Sequence, residues 1–112
     1  MLVYFLETLE DESDKDYIIW LYNEFERLMY STAFKYTTIP QIAEDIVQDS
    51  VVNLIRKVAT IRAMKRQVLA AYIISTVRNT SINRLKAIEY EREHVVEDSD
   101  IELESISTED SL

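Results

Sequence analysis

The sequence contains no glycine, no cysteine, one proline and one histidine. Tight β-hairpin turns need residues that tolerate positive φ, so the lack of glycine argues against an all-β fold. It also excludes a glycine-rich loop that would cradle phosphates. The lack of cysteine excludes disulfides, thiolate metal sites and a cysteine nucleophile.

Candidate catalytic and metal-binding groups are few. His94, the single histidine, cannot form a zinc site without carboxylate ligands and lies at the expected end of a helix. Glu44, Asp45 and Asp49 carry oxygen ligands suited to a hard cation, but no second acidic helix accompanies them. We therefore expect no enzymatic activity, no metal and no cofactor.

Long apolar runs are also missing. No stretch approaches the roughly 20 apolar residues that a membrane-spanning helix needs. The apolar N-terminus lacks the basic region of a signal peptide and is followed by acidic residues. A cytoplasmic location is the expectation.

The net charge of −9 is unevenly distributed along the chain. Residues 1–13 contain four acids and no bases, and residues 95–112 contain seven acids and no bases. By contrast, residues 56–92 contain nine bases and two acids, whereas residues 14–49 contain seven acids and three bases. A basic half suits a polyanion and an acidic half suits a basic protein partner, although ordinary solvated helix faces would give the same pattern.

The composition and the apolar spacing predict an all-α fold with three main helices in a compact bundle. The first helix is expected over residues 14–36, with Ser13 or Asp14 as its N-cap. Its predicted core positions are Tyr17, Ile18, Leu21, Tyr22, Phe25, Leu28, Met29, Ala33 and Tyr36.

The second helix is expected over residues 40–58. Pro40 lies in its first turn, and Thr38 and Gln41 have the spacing of a capping box. The predicted core face consists of Ala43, Ile46, Val47, Leu54 and Val58.

Weak periodicity over residues 59–66 predicts a connecting loop, and the third helix is expected over residues 67–93. The predicted core face of this helix consists of Ala70, Ile73, Ile74, Val77, Leu85 and Ile88. Residues 1–13 are expected to include a short helix that packs on the bundle. We predict a domain over residues 1–94 and a disordered acidic tail over residues 95–112.

The outer face of the second helix carries carboxylates and amides, with two apolar residues among them. Val52 lies inside the polar arc, and Ile55 is expected at its margin. A partner protein would use such apolar side chains for burial and the polar ones for register. A solvent-exposed face with a stray valine is the alternative. The polar residues of this face are Glu44, Asp45, Gln48, Asp49, Asn53 and Arg56.

One side of the third helix carries hydroxyls, amides and aromatic rings. Asn79 and Asn83 are four residues apart, so a single nucleic-acid strand along the helix would meet both. Asparagine is a poor helix former, which makes two of them inside one helix notable. A side that is polar only because it faces water is the alternative. The other members are Tyr72, Ser75, Thr76, Lys86 and Tyr90, and Arg62, Lys65 and Arg66 precede the helix as candidates for backbone neutralisation.

Two segments together resemble a known family. They are AEDIVQDSVVNLIRKV and, after an intervening stretch, LAAYIISTVRNTSINRLK. The sequence over about residues 1–94 resembles region 2 of the sigma-70 family of RNA polymerase sigma factors, most closely the extracytoplasmic-function type. The resemblance implies an all-helical, DNA-binding transcription initiation domain.

The resemblance also implies two binding faces. The second helix is expected to dock on the clamp helices of the RNA polymerase β′ subunit through Asp45, Gln48, Asp49, Val52 and Ile55. The loop of residues 61–66 and the third helix are expected to capture the non-template strand of the −10 promoter element as it melts. The matching positions are Arg62, Lys65, Arg66, Arg78, Asn79, Asn83 and Lys86, and Tyr72 joins them from the polar side of the helix. An anti-sigma protein is expected as a further partner.

This chain departs from the family pattern in three respects. The position of Asn83 is frequently Asp in the family, which puts the base preference in doubt. The helical wheel places Arg78 nearer the core flank than Asn79. Family members also continue into a domain that reads the −35 element, so this chain alone is expected to bind duplex promoter poorly. The alternatives are a helical protein-interaction adaptor and a module that sequesters polymerase or an anti-sigma protein, both without DNA binding.

Overall fold

Helices form all of the regular secondary structure that the computed structural model describes, namely Tyr4 and residues 6–98, with residues 95–98 described as backbone only. Residues 12–98 contain four helices: α1, Glu12–Ala33; α2, Pro40–Arg56; α3, Val58–Arg62; and α4, Arg66–Asp98. The predicted all-α fold is confirmed.

Helix α1 begins two residues earlier than predicted because Asp11 is its N-cap. Asp11 has extended backbone angles, and its carboxylate accepts a hydrogen bond from the Ser13 N–H at 2.8 Å. That bond holds the pKa of Asp11 below its ordinary value. The predicted caps, Ser13 and Asp14, instead lie in the first turns of the helix, and the predicted end at Tyr36 is replaced by a turn after Ala33.

Helix α2 begins at Pro40, but the predicted capping box is wrong. Ile39 is the N-cap residue and is extended, with φ −90° and ψ 115°, as proline requires of the residue before it. No side chain caps this helix. The Thr37 hydroxyl accepts a hydrogen bond from the Ile39 N–H at 3.1 Å, one residue before the predicted position.

The predicted loop over residues 59–66 is largely helical, because a short helix, α3, is anchored in the core. Val58 is 9 % exposed and Ile61 is fully buried, and their spacing of three residues puts both on one side of a helical turn. Lys57 interrupts the helical backbone between α2 and α3, with φ −112° and ψ 22°. Only residues 63–65 remain as the connection to α4.

The chain divides after Ile82 into two units, each of which is described by itself. Helix α4 is longer than predicted, since residues 95–98 of the expected tail are helical. Residues 99–112 of that tail, and residues 1–3 and 5, lie outside the described residues. The predicted domain boundary at residue 94 stays a prediction.

The core of the first unit combines apolar residues from all four helices. The core positions predicted for the second helix are all buried, although Val58 lies in α3, and the prediction missed Val51 and Leu69. Leu6 and Leu9 pack on this core, as expected of the N-terminal segment. The buried apolar residues are Ile18, Leu21, Phe25, Met29, Ala33, Ala43, Ile46, Val47, Val51, Leu54, Ile55, Val58, Ile61, Leu69, Ile73 and Val77. In the second unit, the predicted core residues Leu85 and Ile88 are half-buried.

Three of the four buried hydroxyl groups among the described residues are satisfied within their own helices. Thr32, Ser50 and Ser81 each donate to the carbonyl four residues earlier, at 2.7 to 2.8 Å. Burying these groups therefore leaves no polar atom without a partner. Among the described residues, no helix has the length and apolar character needed to cross a membrane.

Candidate nucleic-acid and protein interfaces

The outer face of α2 has a polar surface around one half-buried valine. We define the α2 face as Asp45, Gln48, Asp49 and Val52. Asp49 is exposed, whereas the side chains of the other three residues are half-buried. Two carboxylates, an amide and an apolar side chain on adjoining turns present both charge and a small area for burial.

The helical wheel predicted Ile55 at the margin of this face, but the structure places it elsewhere. Its side chain is only 6 % exposed and belongs to the core beside Val51 and Leu54. The apolar stripe of α2 is therefore wider than predicted, and Val52 is left as the apolar residue of the outer face.

Asn53 and Arg56 continue the polar side of α2 toward its C-terminus. The Asn53 side-chain amide donates to the hydroxyl of Thr80 on α4 at 3.4 Å, and Arg56 donates to Oδ1 of the same side chain at 3.4 Å. The amide thus links α2 to α4, a role that the sequence pattern did not indicate.

The basic residues that precede and begin α4 are held against α1. We define the basic segment as residues 62–66. Arg62 donates to the Asp14 carboxylate at 2.7 Å and to the Ser13 hydroxyl at 2.9 Å. Its guanidinium carbon lies 5.4 Å from the centre of the Tyr17 ring, within the range of a cation–π contact.

Arg66 repeats this arrangement at the other end of the basic segment. Its guanidinium lies 2.7 Å from the Glu24 carboxylate and 5.1 Å from the centre of the Phe25 ring. Lys65, between the two arginines, is exposed. Each arginine therefore has an acidic partner and an aromatic partner on the same helix.

Tyr17 fixes the backbone that leads into this segment. Its hydroxyl donates to the Ile61 carbonyl at 3.2 Å, while its ring lies under Arg62. Sequence reasoning treated Tyr17 as a core residue and gave Asp14 and Glu24 no partner in the segment. Partners 42 to 48 positions apart in sequence carry no local signal that would have indicated them.

The predicted nucleic-acid stripe of α4 is partly occupied in the first unit. Asn79 is exposed, whereas Tyr72 is half-buried and packs against the core. The Thr76 hydroxyl donates to the Tyr72 carbonyl at 2.9 Å. Arg78 is exposed, as Asn79 is, and its guanidinium donates to the Ser75 hydroxyl of the same helix at 3.5 Å. Its predicted place nearer the core flank than Asn79 stays a prediction.

The second unit contains the remaining predicted members of that stripe. Asn83, Lys86 and Tyr90 are each exposed. The Tyr90 ring lies 3.8 Å from the His94 ring, centre to centre, and His94 Nδ1 is 3.0 Å from the Tyr90 carbonyl oxygen. His94 is therefore engaged within its own helix. In the part of the chain that the structure describes, no cluster of metal-binding side chains occurs.

An all-helical fold with a polar, partly acidic face and an exposed basic segment has the chemistry of a binding module. A family model described as sigma-70 region 2 matches residues 21–89, more than half of the chain. The chain belongs to this family of transcription initiation factors, whose members interact with RNA polymerase and promoter DNA. The match includes the α2 face and the basic segment but begins after Asp14 and Tyr17. Neither the comparison with curated proteins nor that with solved structures gave a match.

Two tyrosines of α1 make the stability of the fold vary with pH in the alkaline range. Burial raises the pKa of Tyr17 above its ordinary 10.0, although Arg62 opposes the shift. Burial, together with the neighbouring Tyr30 and Glu26, raises the pKa of Tyr22 further. The folded chain keeps these phenols protonated where the unfolded chain ionises, so their stabilising contribution is full below about pH 10 and falls as pH rises.

We expect the free energy of unfolding to fall as pH rises above about 10, and to fall less in the Tyr17→Phe/Tyr22→Phe variant, because phenylalanine has no proton to lose. Urea unfolding at a series of pH values measures this. Tyr90→Phe, at an exposed position, is the control and should keep the wild-type slope. An equally steep fall in the double variant would contradict the explanation.

Proposed function

We propose that the α2 face docks on the clamp helices of the RNA polymerase β′ subunit, while the basic segment and α4 take up the non-template strand of the −10 element as it melts. The observation that carries this proposal is the placement of the exposed Arg62 and Arg66 guanidinium groups against the Tyr17 and Phe25 rings of α1. Preorganised cations at exposed positions suit a polyanion, because less side-chain freedom is lost on binding.

The chemistry of the α2 face supports the docking role. Asp45 and Asp49 favour a basic partner, Gln48 offers both a donor and an acceptor, and Val52 supplies apolar contact. Ile55 is buried, so we propose that it supports Val52 from beneath and does not touch the partner. Protein interfaces usually have this arrangement, in which polar groups surround a central apolar contact.

The basic segment and the first unit's part of α4 support the DNA role. Arg62, Lys65 and Arg66 neutralise backbone phosphates, which gives affinity without sequence preference. Asn79 presents an exposed amide that is able to hydrogen-bond a base edge. Tyr72 is half-buried, so it offers only part of its ring for stacking.

The remaining contacts stay predictions. Asn83 and Lys86 are proposed as DNA contacts from the second unit, on the ground of their exposure and chemistry. The extracytoplasmic-function type and an anti-sigma protein that covers these faces are proposed from the sequence resemblance alone. A helical adaptor without a nucleic-acid role would bind a β′ clamp-helix fragment but not single-stranded DNA.

The docking role predicts that Gln48→Ala/Asp49→Ala weakens binding to a purified β′ clamp-helix fragment by about tenfold or more, because both side chains border the apolar contact. Isothermal titration calorimetry measures the affinity. The matched control is Asp16→Ala/Asn23→Ala, which removes one carboxylate and one amide from exposed positions on α1. Equal affinities for the two variants would count against the α2 face.

The DNA role predicts different effects for Asn79 and Lys65. Asn79→Ala should reduce discrimination at one base position by about 1–3 kcal/mol. Lys65→Ala should weaken all sequences about equally and lower the salt slope by about 0.7, the value for one phosphate of a single strand. Fluorescence anisotropy with single-stranded oligonucleotides that vary one base at a time measures both.

The control for these measurements is Lys35→Ala, which removes a charge from the exposed turn after α1. It should retain the wild-type base preference and the wild-type salt slope. A uniform loss of affinity in Asn79→Ala, with base preference unchanged, would contradict base reading by this residue.

A further inference from the structure

The two arginines that are proposed to bind phosphate already have carboxylate partners. Asp14 lies 2.7 Å from Arg62, and Glu24 lies 2.7 Å from Arg66. A phosphate that approaches either guanidinium therefore meets a group of its own charge at the same position. Carboxylates of α1 thus offset two of the three positive charges of the basic segment before any nucleic acid arrives.

These ion pairs are accessible to exchange. The side chains of Arg62 and Arg66 are 39 % and 61 % exposed, so water and salt reach both pairs. Ion pairs at such positions contribute little to stability and are screened by salt. The carboxylates can be displaced without unfolding the core beneath them.

The aromatic partners keep the arginines in place when the carboxylates leave. Tyr17 and Phe25 contact the guanidinium groups through their rings, at 5.4 and 5.1 Å from the ring centres. A carboxylate or a phosphate uses the N–H groups at the guanidinium edge, so one anion can replace another while the ring contact persists. The Tyr17 hydroxyl also holds the Ile61 carbonyl, which fixes the backbone before Arg62.

We propose that Asp14 and Glu24 form a carboxylate latch on the basic segment, which phosphates of the single strand must displace. The latch rests on the proposed DNA role and adds a regulatory contact to it. It lowers the affinity for every nucleic acid equally, so weak binding without a correct base contact is suppressed. Asp14 precedes the part of the chain that matches sigma-70 region 2, so the contact to Arg62 is made from outside the matched range.

The opposite role for the same carboxylates makes a different prediction. If Asp14 and Glu24 served to orient the arginines toward phosphate, their removal would weaken binding. If they compete with phosphate, their removal strengthens it. The sign of the change in affinity therefore separates a latch from a positioning role.

The test uses Asp14→Asn/Glu24→Gln, which keeps the size and polarity of both side chains and removes their charge. The probe is single-stranded oligothymidine, and the measurement is fluorescence anisotropy over a series of salt concentrations. The matched control is Asp16→Asn/Glu44→Gln, which removes two negative charges from exposed positions on α1 and α2. Circular dichroism with thermal unfolding verifies that every variant is folded.

The latch predicts that the double variant binds about threefold to tenfold more tightly than the control at low salt. It also predicts a salt slope steeper by between about 0.7 and about 1.4, since one or two more phosphates are neutralised. Adding Arg62→Ala and Arg66→Ala should erase the gain over the control, because the released groups are then missing.

Three results would overturn the latch alone. One is an affinity equal to that of the control, which would leave only a long-range charge effect. Another is weaker binding, which would assign Asp14 and Glu24 a positioning role. The third is a gain that persists without the two arginines. If neither the wild-type chain nor any variant binds oligothymidine, the proposed DNA role fails and the latch fails with it, whereas wild-type binding without the gain leaves the DNA role standing.

Discussion

The burial of Ile61 is the constraint on which the rest of the site depends. This side chain is fully buried and, with Val58, anchors the short helix α3 to the core formed with α1 and α2. The Ile61 carbonyl accepts the Tyr17 hydroxyl, so the backbone is also fixed at the point where the basic segment starts. An apolar contact in the core thereby places Arg62 above the Tyr17 ring and within reach of Asp14.

Periodicity in the sequence was sufficient to predict the long helices and most of the core. The three- and four-residue spacing of apolar residues carries that information directly, as the four buried residues predicted within α2 demonstrate. It was insufficient for α3, because a helix of five residues contains too few turns for a periodic pattern. Ile55 was misplaced for a related reason: the buried stripe of α2 is wide, and a helical wheel does not give its width.

The contacts of the basic segment were beyond sequence reasoning for another reason. The positive charge of Arg62, Lys65 and Arg66 was enough to predict that this segment binds a nucleic-acid backbone. Its partners on α1 are distant along the chain, and pairs of this kind are set by tertiary packing. The N-cap of α1 shows the same limit at short range, since Asp11, Ser13 and Asp14 are all good capping residues and only the backbone angles select Asp11.

We propose that polymerase and promoter DNA use different surfaces of one small helical domain, the α2 face and the basic segment. Nuclear magnetic resonance of the isotopically labelled chain tests it most directly. A β′ clamp-helix fragment is added first, and the tightest-binding member of a randomised single-stranded oligonucleotide pool is added second. We predict that the fragment shifts the amide signals of the α2 face, and that the oligonucleotide then shifts those of residues 62–66 and Asn79 with the fragment still bound. Displacement of the fragment by the oligonucleotide, or unchanged signals over residues 62–66, would contradict this account.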